Sequence, residues 1–132
     1  MPSSSDRFMS HVFPGSPAID SEAIEHLHLL EDEDEPDIVG ELIRLFLANT
    51  PPRIANMVSG VKSGDLVAVG RAAHSLKSSS AHLGAIGMHQ VCEKLDGLKD
   101  STHVDEAAHL VGLLQKEFEV VSRALQQIAA ED

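Results

Sequence analysis

Apolar residues recur every three or four positions through most of this chain, and the clearest run lies toward its C-terminal end. Val104, Ala107 or Ala108, Val111, Leu114, Phe118, Val121, Leu125 and Ile128 follow one another at that spacing. Steps of three and four gather side chains on one face of an α-helix, whereas a half-buried strand would alternate at every second residue. No stretch shows such alternation. The same period predicts a helix from about Pro36 or Asp37 toward Val61, its stripe made of Val39, Leu42, Ile43, Phe46, Leu47, Ile54, Met57 and Val58. Pro51-Pro52 falls inside it. Each proline removes a backbone donor and crowds the preceding turn, so the sequence predicts a kink or a break at that point.

Shorter elements flank these. Asp20 or Ser21 is placed to cap a short helix with Ile24, Leu27 and Leu30 inward. Ser63-Gly64-Asp65 reads as a tight turn ending in a cap, and Gly84 as the glycine that closes the helix between them. A further helix over about 85–99 turns Met88, Val91 or Cys92, Leu95 and Leu98 inward, and a polar loop over 100–103 leads to the last helix. Four long amphipathic helices on short connections predict an all-α fold, an antiparallel four-helix bundle with a short additional N-terminal helix. That domain spans 18–132. The lead over 1–17, with its serine run, three prolines and a glycine, is read as a disordered segment or linker.

The helix starting at Asp65 carries the most unusual pattern. Leu66, Val69, Ala73, Leu76, Ser80 and Leu83 form its core face, with Ala72 and Ser79 at the edge. His74 points the other way, between Gly70 and Ser78 at four residues on either side, with Val67 and Ala81 a turn further out and Arg71 and Lys77 beside it. A solvent-facing helix side ordinarily carries Glu, Lys and Gln, which favour helix and solubility. Small residues around one imidazole, and a serine run that is costly inside a helix, suit close approach by another molecule.

From His74 to Ala85 the chain reads His-Ser-Leu-Lys-Ser-Ser-Ser-Ala-His-Leu-Gly-Ala. This resembles the signature of histidine-containing phosphotransfer (HPt) domains, roughly His-x-Leu-Lys-Gly-Ser-Ser-x-x-Leu-Gly-Ala. The likeness extends upstream through Leu45-Phe46-Leu47, Thr50-Pro51, Arg53-Ile54 and Gly64-Asp65, and downstream through Met88, Cys92, Leu95 and Asp96. One position departs: the glycine that usually follows the lysine is Ser78 here, which sets a hydroxyl beside the histidine. The resemblance implies that His74 is phosphorylated at the nitrogen distal to the backbone and that Lys77 steadies the phosphoryl oxygens. Val67, Gly70, Arg71, Ser78 and Ala81 would form the docking face, with Gly70 and Ser78 keeping the approach open.

The same resemblance implies the partners. They are the receiver domains of response regulators and a hybrid sensor kinase, and the receiver contributes the Mg²⁺ while this chain binds no cofactor. The chain would be a phosphohistidine carrier without ATP-dependent kinase activity of its own, either free-standing or the C-terminal module of a hybrid kinase. A bundle that docks receivers without transfer is the alternative from another class, and retention of both His74 and Lys77 argues against it. A sensor kinase core is a poor match, because its His-Glu-x-x-Thr-Pro pattern is missing.

Composition narrows the remaining classes. The net charge of −11 argues against nucleic acid and anionic membrane, and makes the basic residues beside His74 a local exception. No apolar run is long enough for a membrane span, so the reading is a cytoplasmic protein, expected to be a monomer. The single Cys92 permits no internal disulfide and is expected to be a core thiol. His26 and His28, or His82 and His89, do not have metal-ligand spacing, and no metal site is expected. The acidic run from Glu31 to Asp37 lacks the glycine and glutamate of a calcium loop and is read as a solvated helix lead-in. Gly84-Ala85-Ile86-Gly87 lacks the Lys-Ser or Lys-Thr of a phosphate loop.

Overall fold

The computed structural model describes residues 18–131, and the lead expected over 1–17 lies outside them. Five helices follow in order: α1 (Ser21–His28), α2 (Ile38–Ser63), α3 (Leu66–His82), α4 (Ile86–Asp96) and α5 (Val104–Glu131). Helices α2 to α5 form a closed ring in which each packs on the next and α5 returns to α2, while α1 lies against α2. Contacts between α3 and α4 run in opposite senses along the two helices, His74 facing Asp96 and Lys77 facing His89. The fold is the expected helical bundle.

Local chemistry sets the helix ends. Asp20, Asp37 and Asp65 each accept a backbone N–H of the first turn, from Glu22, Gly40 and Ala68. Gly64 and Gly84 take positive φ values of 75° at the ends of α2 and α3, a conformation that glycine adopts without steric cost. Gly84 has a second role. Its carbonyl accepts the Asp20 N–H at 2.9 Å, and a Cβ there would meet the Asp20 carbonyl oxygen at 2.7 Å, so α1 is seated directly on the α3–α4 turn.

Two expectations are corrected here. Of the kink or break expected at Pro51-Pro52, the break does not occur: helix α2 continues from Ile38 to Ser63. Both prolines are exposed, so the carbonyls they leave unpaired one turn back can turn to water and the helix continues. Helix α1 ends at His28, leaving Leu30 57% exposed instead of inward. The acidic run that follows works as capping structure: the Glu31 carboxylate takes the His28 ring on one oxygen and the Val39 N–H on the other, and Asp32 accepts from Asp34 and Glu35. The contact with His28 first, and the Val39 bond after it, hold the Glu31 carboxyl below its ordinary pKa.

The core is the stack of Ile43, Met57, Leu76, Met88, Leu95, Leu114 and Leu125, all fully buried. Each side chain of that size contributes roughly 1.5–3 kcal/mol by leaving water. Cys92 is buried among them, and burial pushes its thiol up to about 12, as fits a core residue with no redox partner. In α5 the inward positions are Ala107, Leu110, Val111, Leu114, Glu117, Val121 and Leu125. Glu117 therefore occupies the core position, while the expected Phe118 sits half-buried at the seam, its ring 6.2 Å from that of Phe46.

Candidate functional site

The buried side of α3 is the one its sequence indicates, with Leu66, Val69, Ala73, Leu76 and Ser80 inward, so the imidazole of His74 is carried outward and is 67% exposed. What the helix alone does not reveal is its partner. His74 Nδ1 lies 3.0 Å from Oδ2 of Asp96, the last residue of α4. Lys77, one turn along α3, places Nζ 3.3 Å from the same oxygen, and Lys99 places its Nζ 3.3 Å from the other, Oδ1. One carboxylate thus joins His74 to two cations.

The electrostatics fix the protonation pattern. A carboxylate at a helix C-terminus is disfavoured by the partial negative charge of the free carbonyls there. The hydrogen bond from His74 first, then the neighbouring Lys77 and Lys99, nonetheless hold the Asp96 carboxyl down at about 2, against an opposing contribution from desolvation. Near neutral pH Asp96 is therefore ionised and can only accept. His74 must donate Nδ1–H to it, so in the neutral tautomer that makes this bond the lone pair lies on Nε2, a nitrogen with no protein partner among the described residues.

A third histidine contact steadies the frame. His89 on α4 donates from Nδ1 to the Lys77 carbonyl oxygen at 2.9 Å, pinning α4 against the turn of α3 that carries the lysine. The residue reads from sequence as an ordinary surface histidine, and its role depends on the packing of two helices.

Of the residues expected to surround the imidazole, Val67, Arg71, Ser78 and Ala81 are exposed on the outer side of α3, whereas Lys77 is half-buried against Asp96. Gly70 is a correction. It is buried beneath Lys99, and a Cβ there would come within 2.4 Å of the Lys99 Cβ. Its small size admits the segment after α4, which brings Lys99 to Asp96, instead of holding the approach to His74 open. Beside the imidazole, a groove between α2 and α3 is lined by Arg53, Asn56, Ser59, Arg71, Ala72 and Ser75. Neither arginine has an ion-pair partner among the described residues, so this acidic chain carries two available cations next to Ser75. Among the described residues no group of His, Cys, Asp and Glu side chains is arranged to hold a metal ion.

An exposed imidazole with one nitrogen tied to a half-buried carboxylate, and a lysine on the same carboxylate, is the arrangement this helical bundle presents at its surface. The family model of the Hpt domain matches residues 41–131, and the chain belongs to that family. It is 25% identical over 105 residues to histidine-containing phosphotransfer protein 2 of Arabidopsis thaliana, covering 77% of this chain and 67% of that protein. The fold matches the crystal structure of histidine-containing phosphotransfer protein B from Pseudomonas aeruginosa PAO1 with a TM-score of 0.79 and 22% identity, over 89% of this chain and 99% of that one. A role in histidine phosphotransfer within a phosphorelay follows from family membership.

Proposed function

We propose that this chain takes a phosphoryl group onto His74 Nε2 from an aspartyl phosphate of a receiver domain and passes it to the aspartate of another receiver. The Nδ1–H···Asp96 hydrogen bond carries this reading, because it engages Nδ1 and supports Nε2 as the attacking nitrogen. The Nε2 lone pair attacks phosphorus, the bond from phosphorus to the donor's carboxyl oxygen breaks, and the donor aspartate leaves as a carboxylate. The imidazole keeps its Nδ1 proton and becomes cationic, and the ionised Asp96 stabilises that charge. Reversal toward a second receiver uses the same atoms.

Lys77 stands one helical turn from His74 and near enough, through Asp96, to be a point charge beside the incoming phosphoryl oxygens. Receiver-bound Mg²⁺ neutralises further charge on the transferring group. Val67, Arg71, Ser78 and Ala81 form the docking face around the imidazole, and the Arg53–Arg71 groove extends it with positive charge. Ser78 holds its hydroxyl on this face, where the family signature has glycine. No helix among the described residues is long and apolar enough to cross a membrane. The partners and compartment proposed are receiver domains, with a hybrid sensor kinase upstream, in the cytoplasm.

The test is incubation of the natural chain and of His74→Gln with a phosphorylated receiver and Mg²⁺, scoring acid-labile, base-stable label on this chain. Label on the natural chain alone is the expected result. Stable complexes with receivers but no label on either form would replace transfer by binding alone.

A further inference from the structure

Among the described residues three buried side chains are polar: Thr50 on α2, Ser80 on α3 and Glu117 on α5. Glu117 is 2% exposed, and Thr50 and Ser80 are fully buried. All three leave a side-chain oxygen without a hydrogen-bond partner: Thr50 Oγ1, Ser80 Oγ and Glu117 Oε1. Their heights in the bundle agree. Phe46 faces Phe118 across α2 and α5, and Gly60 faces Val69 across α2 and α3. Counting along antiparallel helices from those contacts, at about 1.5 Å per residue, brings the three within about one turn of a common level.

No charge among the described residues compensates the acid. Arg44 on α2 pairs with Asp37, and Arg53 lines the outer groove toward α3. On α3 and α4, Lys77 is held by Asp96 and His89 by the Lys77 carbonyl, while His82, Glu93 and Lys94 are exposed. On α5 itself Lys116, Glu119 and Arg123 are exposed, and on α1 His26 is exposed and His28 is engaged by Glu31. None of these forms an ion pair with Glu117. Placing an ionised carboxylate in such a site without a cation costs far more than placing the neutral acid.

We infer that Glu117 is carried as a neutral carboxylic acid in a buried polar layer with Thr50 and Ser80, and that its ionisation loosens α5 on its neighbours, making the bundle a pH-sensitive fold. The direction of its titration agrees. Burial alone raises the Glu117 carboxyl from its ordinary value to about 7. A raised folded-state value means that the folded chain holds this proton more tightly than the unfolded chain does. The stability it contributes is present below the ordinary carboxyl range and is lost as pH rises toward and through about 7.

The experiment compares urea midpoints of the natural chain and of Glu117→Gln from about pH 5 to about pH 8.5. Gln keeps the shape and the polarity but cannot ionise. The natural chain should lose midpoint across this window while the variant stays nearly level, so that their difference grows with pH. Infrared spectra of the natural chain supply a second readout that does not depend on the variant folding. A protonated-carboxyl C=O stretch present near pH 5.5 and lost by pH 8.5 supports the inference. Parallel midpoint curves, or a carboxyl already ionised at pH 5.5, would overturn it.

Discussion

Asp96 and Glu117 are two carboxylates of one small bundle, and they are driven in opposite directions. Asp96, at the surface end of α4, gains His74, Lys77 and Lys99 and is held at about 2. Glu117, inside the ring of helices, gains no partner among the described residues and is raised to about 7 by burial. The contrast shows that the effect of a buried or half-buried acid is set by what faces it and not by depth alone. At the first site the fold keeps a charge in place to orient an imidazole. At the second it keeps an acid neutral.

The sharpest way to break the contrast is to put an acid into the core where a large apolar side chain is packed. Leu76 is fully buried on α3, directly behind the outward His74. Leu76→Asp should unfold or strongly loosen the bundle, by about 4 kcal/mol or more, read as lost helicity and urea resistance. His74→Gln should leave helicity and midpoint unchanged while abolishing transfer. A stable, fully helical Leu76→Asp would invert the assignment of the two faces of α3.

Removing the surface acid has a smaller effect. Asp96→Ala frees the His74 ring and loses a charge-assisted hydrogen bond, of roughly 1.5–3 kcal/mol in such settings. Transfer from a phosphorylated receiver should slow by about 10- to 100-fold with little change in fold. An unchanged rate would mean that Asp96 only supports structure. Gly70→Ala should cost about 1–3 kcal/mol, because the new methyl group must displace Lys99. That variant also tests whether Lys99 matters to the site, since it should disturb the Asp96 cluster without touching His74.

The two acids also predict opposite pH limbs. The Asp96 carboxyl is lowered on folding, so its contribution is present above the ordinary carboxylate range and is lost as pH falls toward about 2. Asp96→Asn should flatten the acid limb of a stability–pH curve and leave the neutral limb that belongs to Glu117 intact. The smallest effect is expected at the groove. Arg53→Glu with Arg71→Glu should weaken receiver docking by about 1 kcal/mol at low salt, with the difference shrinking as salt is added.

How much of this was legible in the sequence varies by element. The inward face of α3, the outward His74 and the closing Gly84 are all local consequences of a 3.6-residue period and of glycine's freedom at positive φ. The motif also pointed to Asp96, though not to its contacts. Those from α3 join positions 22 and 19 residues apart and exist only because α3 and α4 pack antiparallel. Gly70 was misread for a related reason: a helical wheel distinguishes faces of one helix but does not show what a later segment lays over them. At Glu117 the period itself was right, but choosing the bulkier Phe118 as the inward residue followed hydrophobicity where geometry favoured its neighbour. The prolines of α2 interrupt local hydrogen bonding, yet their exposed position allows the helix to continue.

The most direct test of the account is to identify the nitrogen that carries the phosphoryl group. Isotope-labelled chain, phosphorylated by a receiver and observed by correlated nitrogen and phosphorus NMR, should show phosphorus coupled to His74 Nε2, with Nδ1 still protonated and facing Asp96. Phosphorus on Nδ1, or on any histidine other than His74, would contradict it.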